Sequence, residues 1–417
     1  MNLIKTSFLN GFAVFIKMFV LLSINKVLAI YIGPSGYAIV GQLQNAIQVI
    51  STVASGAISN GVIKYTAEYS NTHEKEITLW RTAGSISLIT SLSMSFLVIF
   101  FDEFLAEFFL KDRAFASVFF WLGISLTPFV INNFFLAVLN GKKEIKKYIF
   151  VNISGSIFAL FLTIVLTHLF NLYGAMIAFA TYQALSFFVS SYLVISTNWF
   201  KLKYFIGKID KNLTKKLFGY TIMSLTSAFC VPACHLFIRN DIGSYLGWQY
   251  AGYWEAMWRL SSAYLMFITT TLSVYYLPKL SELVEIEKIK QEIIQGYRLI
   301  LPFTIGLTVF VFLFRANIIS ILFTKEFIKM ESLFFWHLIG DVFKIGSWLL
   351  SYVMVSKAMV KLFVFTEVFF SIFLCFTLYF SIRVLGFEGA SLSHAVTYFF
   401  YWLFLWFVIK KLLERST

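Results

Sequence analysis

Apolar stretches long enough to cross a membrane follow one another along almost the whole chain, with short polar connections between them. A helix needs roughly 17–25 apolar residues to cross a hydrocarbon core about 30 Å thick. The composition agrees, because 59% of the 417 residues are hydrophobic and 13% are charged, whereas soluble domains carry roughly 25% charged residues. The sequence therefore predicts an all-α integral membrane protein.

Twelve such stretches are present, and the first is a full span instead of a short signal-peptide core. The predicted spans are 7–32, 36–67, 80–101, 115–141, 147–170, 173–197, 213–240, 249–280, 294–314, 331–357, 361–383 and 387–411. Most of the 34 Lys and Arg residues lie at the two chain ends and in the even-numbered connections. Because positive charge is retained on the cytoplasmic side, we expect both termini there. The net charge of +13 is then explained by these cytoplasmic loops and does not indicate a nucleic-acid partner. We expect Lys64 to lie at the cytoplasmic mouth of the cavity.

An internal repeat divides the chain into two halves. Lys142, Lys146, Ser156-Ile157-Phe158 and Gly174-Ala175 recur at one constant offset as Lys357, Lys361, Ser371-Ile372-Phe373 and Gly389-Ala390. A further pair, Gly36-Tyr37 and Gly252-Tyr253, is one residue further apart. Six helices per copy keep both copies in the same orientation, so an axis along the membrane normal should relate them. We predict two six-helix lobes, 1–205 and 206–417, with the substrate site between them.

Apart from cations near span ends, four lie deeper within the predicted spans: Lys17, Lys26, Arg259 and Lys344. A charge at the bilayer centre costs roughly 2.5–3.5 kcal/mol, so such residues normally face water, a partner or a substrate. We predict that these four bind an anionic group of the substrate. For Lys26, snorkelling to the interface is an equal alternative. Glu255 and Asp341 stand four and three residues before a cation, a spacing that permits either an ion pair or a coupling role.

Polar residues also form stripes at helical spacing. They are Asn10 on the first helix, Asn45, Gln48, Thr52, Ser55 and Ser59 on the second, and Ser262 and Thr269 on the eighth. Lipid offers no hydrogen-bond partners to such polar side chains, so we predict that these residues line a water-filled cavity between the lobes. The alternative is that they hold helices together through hydrogen bonds.

No pattern indicates a cofactor or a metal. Cys230, Cys234 and Cys375 all lie in apolar stretches and are expected to be buried thiols. The five histidines, at positions 73, 168, 235, 337 and 394, are scattered without metal-ligand spacing. A Walker loop is missing too, so we expect no ATP hydrolysis within the chain.

A cationic cavity rich in hydroxyl and amide groups suits an amphiphile that has a phosphate or diphosphate headgroup and sugars. Two alternatives remain at this point. A cation-coupled multidrug exporter would be expected to have an acid-rich cavity. A membrane-embedded glycan polymerase or ligase would need long periplasmic loops with catalytic groups.

Several motifs add a family resemblance along the whole chain. They are Met1–Ala29 with Lys5, Lys17 and Lys26, then Gly33-Pro34-Ser35-Gly36, Asn60-Gly61-Val62 with Lys64-Tyr65, and Gly340-Asp341-Val342 with Lys344 and Gly346. In this combination the chain resembles the Wzx translocases, the flippases of O-antigen and of enterobacterial common antigen (lipid III).

The resemblance implies the MATE- and MurJ-like fold of the multidrug/oligosaccharidyl-lipid/polysaccharide exporter superfamily. It also implies that undecaprenyl-diphosphate-linked oligosaccharide moves from the cytoplasmic to the periplasmic leaflet of the bacterial inner membrane by alternating access. Implied partners are membrane lipids, the glycan polymerase and the chain-length regulator. Relatives of the common-antigen type tend to carry an acid where this chain has Ser262. Any H+ or Na+ coupling would therefore fall to Glu255 or Asp341.

Overall fold

The computed structural model describes residues 3–70, 72–283, 285–357 and 359–415, and within these ranges the chain forms helices and no strands. The α-helices are α1 (Leu3–Ala54), α2 (Ser59–Glu68), α3 (His73–Phe100), α4 (Asp102–Leu110), α5 (Ala116–Gly141), α6 (Ile145–Ile195), α7 (Lys211–Tyr245), α8 (Trp248–Thr271), α9 (Leu277–Glu282), α10 (Ile286–Leu313), α11 (Arg315–Leu322), α12 (Phe334–Ser356), α13 (Val360–Leu385) and α14 (Glu388–Arg415). Short 3-10 segments and one π-helical turn, Leu272–Tyr276, complete the chain. The predicted all-α fold is confirmed.

Two of these helices are interrupted in the middle. A straight helix of the 52 residues of α1 would be about 78 Å long, more than twice the hydrocarbon thickness. At Gly33 the backbone turns to φ 60°, directly before Pro34, where a helical conformation is sterically disfavoured. In α6, Phe170 and Asn171 leave the helical region, and Asn171 has φ 49°. Both breaks coincide with predicted boundaries between spans.

The chain is a multi-pass membrane protein. Nine helices in the described ranges are long and apolar enough to cross a membrane, with α1 and α6 counted once each. The second arms of α1 and α6, together with the 24-residue α8, would bring this number to twelve. The count of twelve crossings stays a prediction.

The chain divides into two compact units. Unit 1 comprises Met1–Val27 and Ile39–Pro232, and unit 2 comprises Leu28–Ala38 and Ala233–Thr417. The middle of α1 therefore belongs to unit 2, and α7 is divided after Pro232. The predicted lobes 1–205 and 206–417 stay a prediction.

In unit 1 the basic segment 198–212, which contains the predicted boundary between the lobes, is held against α3. The ring of Phe205 stacks on Trp80 with 5.4 Å between centroids. Arg81 donates from Nε to the carbonyl oxygen of Lys203 at 3.1 Å, and Ser85 donates from Oγ to that of Gly207 at 3.0 Å. The segment is therefore an ordered part of unit 1.

Unit 2 is built around α12, which packs against α10, α13 and α14. The approach of α12 to α14 is close at Gly340, where an added Cβ would lie 2.2 Å from Cδ2 of His394. Two non-bonded carbon atoms cannot approach so closely, so any larger residue at position 340 would force His394 or the helices to shift. The close approach brings polar residues of α8, α12 and α14 together in the interior of unit 2.

Candidate functional site

The predicted polar stripe of unit 1 is largely hydrogen-bonded within the unit. Asn45 is buried and donates from Nδ2 to the carbonyl oxygen of Pro232 at 3.3 Å. Thr52 donates to the carbonyl oxygen of Gln48 at 2.7 Å, and Ser55 donates to that of Thr52 at 2.8 Å. Hydroxyls that bond to the preceding turn are satisfied locally. The cavity-lining role of the stripe stays a prediction.

The remaining predicted residues of unit 1 differ in exposure. Gln48, Lys17 and Lys64 are exposed, whereas Lys26 and Ser59 are half-buried. The ammonium of Lys64 lies 5.2 Å from the ring centroid of Tyr65. The side chain of Asn10 lies outside the described residues. The substrate-binding roles of Lys17 and Lys26 therefore remain predictions.

Unit 2 contains a buried carboxylate shared by two arginines, which we call the Glu255 triad (Glu255, Arg239 and Arg259). Arg259 donates from Nε to Oε1 of Glu255 at 3.0 Å, and Arg239 donates from Nη1 to Oε2. The side chains of Glu255, Arg239 and Arg259 are 8%, 1% and 7% exposed. The guanidinium of Arg259 also lies 5.2 Å from the ring centroid of Tyr37. The pairing of residues 255 and 259 is one of the two roles that their spacing permits.

Arg239 lies at the end of the predicted span 213–240. Helix α7 continues to Tyr245, so Arg239 lies within the helix and is buried. Its ion pair with Glu255 offsets the cost of burying the guanidinium charge. The triad thus carries two positive charges and one negative charge.

A second polar group in unit 2, the Asp341 cluster, consists of Asp341, Ser261, Tyr264, His337 and His394. Asp341 is fully buried, and its Oδ2 accepts hydrogen bonds from the hydroxyls of Ser261 at 2.6 Å and of Tyr264. Its Oδ1 lies 3.1 Å from Nε2 of His394. These contacts fix the orientation of the carboxylate.

Lys344 lies one turn beyond Asp341 on α12 and is buried. Its ammonium lies over three aromatic rings, 4.6 Å from the centroid of Trp258, 5.1 Å from that of Trp348 and 5.7 Å from that of Tyr398. Ring faces attract cations electrostatically. The aromatic rings therefore contribute to holding this charge in the interior, a contact that spacing along α12 did not predict.

The two histidines of the cluster lie face to face. Their ring centroids are 4.5 Å apart, with an interplanar angle of 15°. Both nitrogens of His337 and Nδ1 of His394 are buried without a hydrogen-bond partner. One donor atom each from His337, Asp341 and His394 lies within 4.8 Å of the others. The scattered histidines of the sequence thus include two that the fold brings together.

The eighth-helix stripe was assigned to Ser262 and Thr269. Ser262 is exposed and Thr269 is half-buried, and Thr269 donates to the carbonyl oxygen of Met266 at 3.2 Å. It is the neighbouring Ser261 that reaches Asp341. The cavity-lining roles of Ser262 and Thr269 stay predictions.

The comparisons with known proteins agree with the family resemblance. The lipid III flippases of Escherichia coli (strain K12) and Shigella flexneri are each 27% identical over 405 residues, covering 96% of both chains. A MATE family multidrug resistance transporter of the MOP superfamily is similar in its inward-facing conformation, with a TM-score of 0.77, 14% identity and 96% coverage of each chain. An outward-facing structure of such a transporter gives a TM-score of 0.72 at 13% identity, with 97% and 96% coverage.

The transporter structures establish the predicted exporter fold, and the resemblance to the flippases is confirmed. The model of the family described as polysaccharide biosynthesis protein matches residues 3–284, more than half of the chain. The chain therefore belongs to the polysaccharide biosynthesis protein family.

Proposed function

We propose that this protein is a flippase that moves undecaprenyl-diphosphate-linked oligosaccharide from the cytoplasmic to the periplasmic leaflet of the bacterial inner membrane by alternating access. Its family membership and its match to lipid III flippases along 96% of the chain support translocation of a lipid-linked oligosaccharide. These relatives are named as flippases and the structural neighbours as transporters, so transport is favoured over glycan polymerisation or ligation.

The observation that carries the proposal is the Glu255 triad, in which two arginines share one buried carboxylate. Burying charge in a membrane-spanning helix is costly, and such residues usually serve substrates or pathways. Arginine matches phosphate oxygens through paired, charge-assisted hydrogen bonds. A diphosphate would balance the excess positive charge of the triad.

Lys17, Lys26 and Lys344 are proposed to attract the same diphosphate at different stages of transport. Arg259 would bind it directly. The stripe from Asn45 to Ser59 would contact the sugars, and Lys64 would lie at the cytoplasmic mouth, with both termini on that side. Coupling to H+ or Na+ through Glu255 or Asp341, and partnership with the glycan polymerase and chain-length regulator, are further parts of the proposal.

A cation-coupled drug exporter of the same fold is the competing transport function. Cationic drugs would be repelled by a triad with two guanidinium groups and one carboxylate. The structural neighbours are 13–14% identical, which supports a common fold and carries no information about cargo. The oligosaccharide flippase is therefore the better-supported function.

The proposal can be tested with purified protein in vesicles that contain a fluorescent undecaprenyl-diphosphate oligosaccharide. The variant carrying both Lys17→Ala and Arg259→Gln should flip this lipid at least about 10-fold more slowly, because each hydrogen bond to a charged group contributes roughly 1.5–3 kcal/mol. Arg383→Gln is the matched control, since Arg383 pairs with Asp241 at 3.0 Å near the surface. It should keep the wild-type rate within about twofold. Unchanged transport by the double variant would contradict the electrostatic mechanism.

A further inference from the structure

The Asp341 cluster contains more ligating capacity than its own hydrogen bonds use. His337 is fully buried, and neither of its ring nitrogens has a partner. A neutral imidazole has one donor and one acceptor, and leaving both unmet in an apolar interior is unfavourable. Buried polar groups of native proteins normally have partners, so these two nitrogens point to a ligand.

The nearest groups are themselves good metal ligands. His337 and Asp341 are four residues apart on α12, so they share one face, and His394 reaches them from α14. Their donor atoms lie within 4.8 Å of one another. Two imidazoles and one carboxylate form a ligand set that suits Zn²⁺ and neighbouring transition-metal ions, with a fourth position left for water.

We propose that His337, Asp341 and His394 bind a divalent transition-metal ion, with Zn²⁺ as the representative ion, in the interior of unit 2. This inference concerns unit 2 alone and is independent of the proposed substrate.

The distances permit such a site once the ring of His337, which lies face to face with that of His394, turns so that a nitrogen lone pair points at the same ion. Zn²⁺ binds imidazole nitrogen at about 2.0–2.1 Å, so two ligands of one tetrahedral ion lie roughly 3.4 Å apart. Nε2 of His394 and Oδ1 of Asp341 already lie 3.1 Å apart. His337 has to approach by at most about 1.4 Å, within the reach of a ring rotation about its side-chain bonds.

The surroundings of the ligands also fit. Ser261 and Tyr264 donate hydrogen bonds to Oδ2 of Asp341, so a metal ion would bind Oδ1 and replace its present hydrogen bond with Nε2 of His394. Outer hydrogen bonds of this kind orient a ligand and increase metal affinity. Close contact of α12 with α14 at Gly340 keeps His394 beside the carboxylate.

One charge opposes metal binding. Lys344 follows Asp341 by three residues, and its ammonium lies over the ring of Trp258 at 4.6 Å, the ring that also contacts His337 at 5.5 Å. A cation so close repels a second cation. Replacing Lys344 by Met should therefore strengthen metal binding, an effect opposite to that of losing a ligand.

The test uses full-length, chelator-washed protein in nanodiscs, purified with a tag that contains no histidine, and titrates it with Co²⁺ or Zn²⁺. We expect one equivalent of metal per chain and the visible d–d absorption band of Co²⁺ in a tetrahedral site. The double variant His337→Ala/His394→Ala should lose the band and bind at least about 100-fold more weakly. Lys344→Met should bind about 10-fold more tightly.

His73→Ala is the matched control, because His73 is exposed and outside the cluster, and it should leave binding unchanged. Circular dichroism and gel filtration establish that each variant is folded. If the wild type gave no Co²⁺ band, or if the double variant bound metal as the wild type does, the metal site would be refuted. Ordered water on His337 would then be the remaining explanation.

Discussion

Replacing Glu255 by Gln removes the negative charge of the Glu255 triad while keeping nearly the same volume. The carboxylate accepts hydrogen bonds from Arg259 at 3.0 Å and from Arg239, and all three side chains are at most 8% exposed. The variant would leave two guanidinium groups in the interior of unit 2 with an amide between them. We expect a large loss of stability.

The magnitude follows from the burial of the pair. Removing one partner of a buried ion pair costs about 3–5 kcal/mol, because the remaining charge is no longer compensated. Glu255 serves two arginines, so the expected loss in the free energy of unfolding lies at the upper end, about 5 kcal/mol. The double variant Glu255→Gln/Arg239→Met has the same net charge as the native triad and should recover at least half of this loss.

Unfolding by sodium dodecyl sulfate in mixed micelles, followed by tryptophan fluorescence, measures these differences. Glu331→Gln is the matched control. Glu331 pairs with Arg315 at the same 3.0 Å, but the side chains are 37% and 34% exposed, and exposed pairs contribute about 0–1 kcal/mol. If Glu255→Gln destabilised the protein no more than Glu331→Gln does, Glu255 would not be needed to compensate the two buried arginines.

Three further predictions concern other contacts. Gly340→Ala should separate α12 from α14, because the new methyl group would lie 2.2 Å from the ring of His394. Unfolding in mixed micelles should show that the variant is less stable than the wild type. Equal stability would contradict the close packing of the two helices. The sulfur atoms of Cys234 and Cys375 lie 3.1 Å apart, so the two thiols should form a disulfide when copper phenanthroline removes two electrons and two protons. Mass spectrometry of linked peptides would detect the bond. Failure to cross-link would contradict their proximity. Burial raises the pKa of Glu144, but hydrogen bonds and charge from neighbouring groups outweigh this effect and lower it. Glu144 thus contributes stability above the unfolded pKa of about 4.3 that is lost as the pH falls through the lowered folded value. Glu144→Gln should reduce the difference in unfolding free energy between neutral and acid pH, and an unchanged difference would refute this.

The fold class and the positions of most helices could be predicted because crossing a membrane imposes a length on each segment separately. The breaks at Gly33 and at Phe170-Asn171 fall where the apolar stretches are divided. Two residue types in the sequence signal such breaks. They are glycine before proline, and asparagine, which adopts positive φ more readily than most residues. The ion pair of Arg239 with Glu255 could not be predicted, because it joins two helices and depends on how they pack.

The candidate site was only partly predictable. Glu255 and Arg259 pair through their spacing along one helix, a signal that the sequence contains. The spacing of His337 and Asp341 could have identified a shared face, whereas His394 joins them only through the packing of α12 on α14. The sequence pattern favoured Ser262, whereas Ser261 is the residue that contacts Asp341. Neighbouring residues point about 100° apart around a helix, and the spacing of the stripe did not define its direction well enough to separate them.

In the proposed mechanism, positive charge within the membrane-spanning helices selects a diphosphate headgroup. The most direct test of this selection compares the flipping rates, in vesicles of the same protein, of two undecaprenyl lipids that carry one identical glycan on a diphosphate or on a monophosphate. We expect the diphosphate lipid to move at least about 10-fold faster, since the difference amounts to one or more charge-assisted hydrogen bonds. Equal rates for the two lipids would contradict this mechanism.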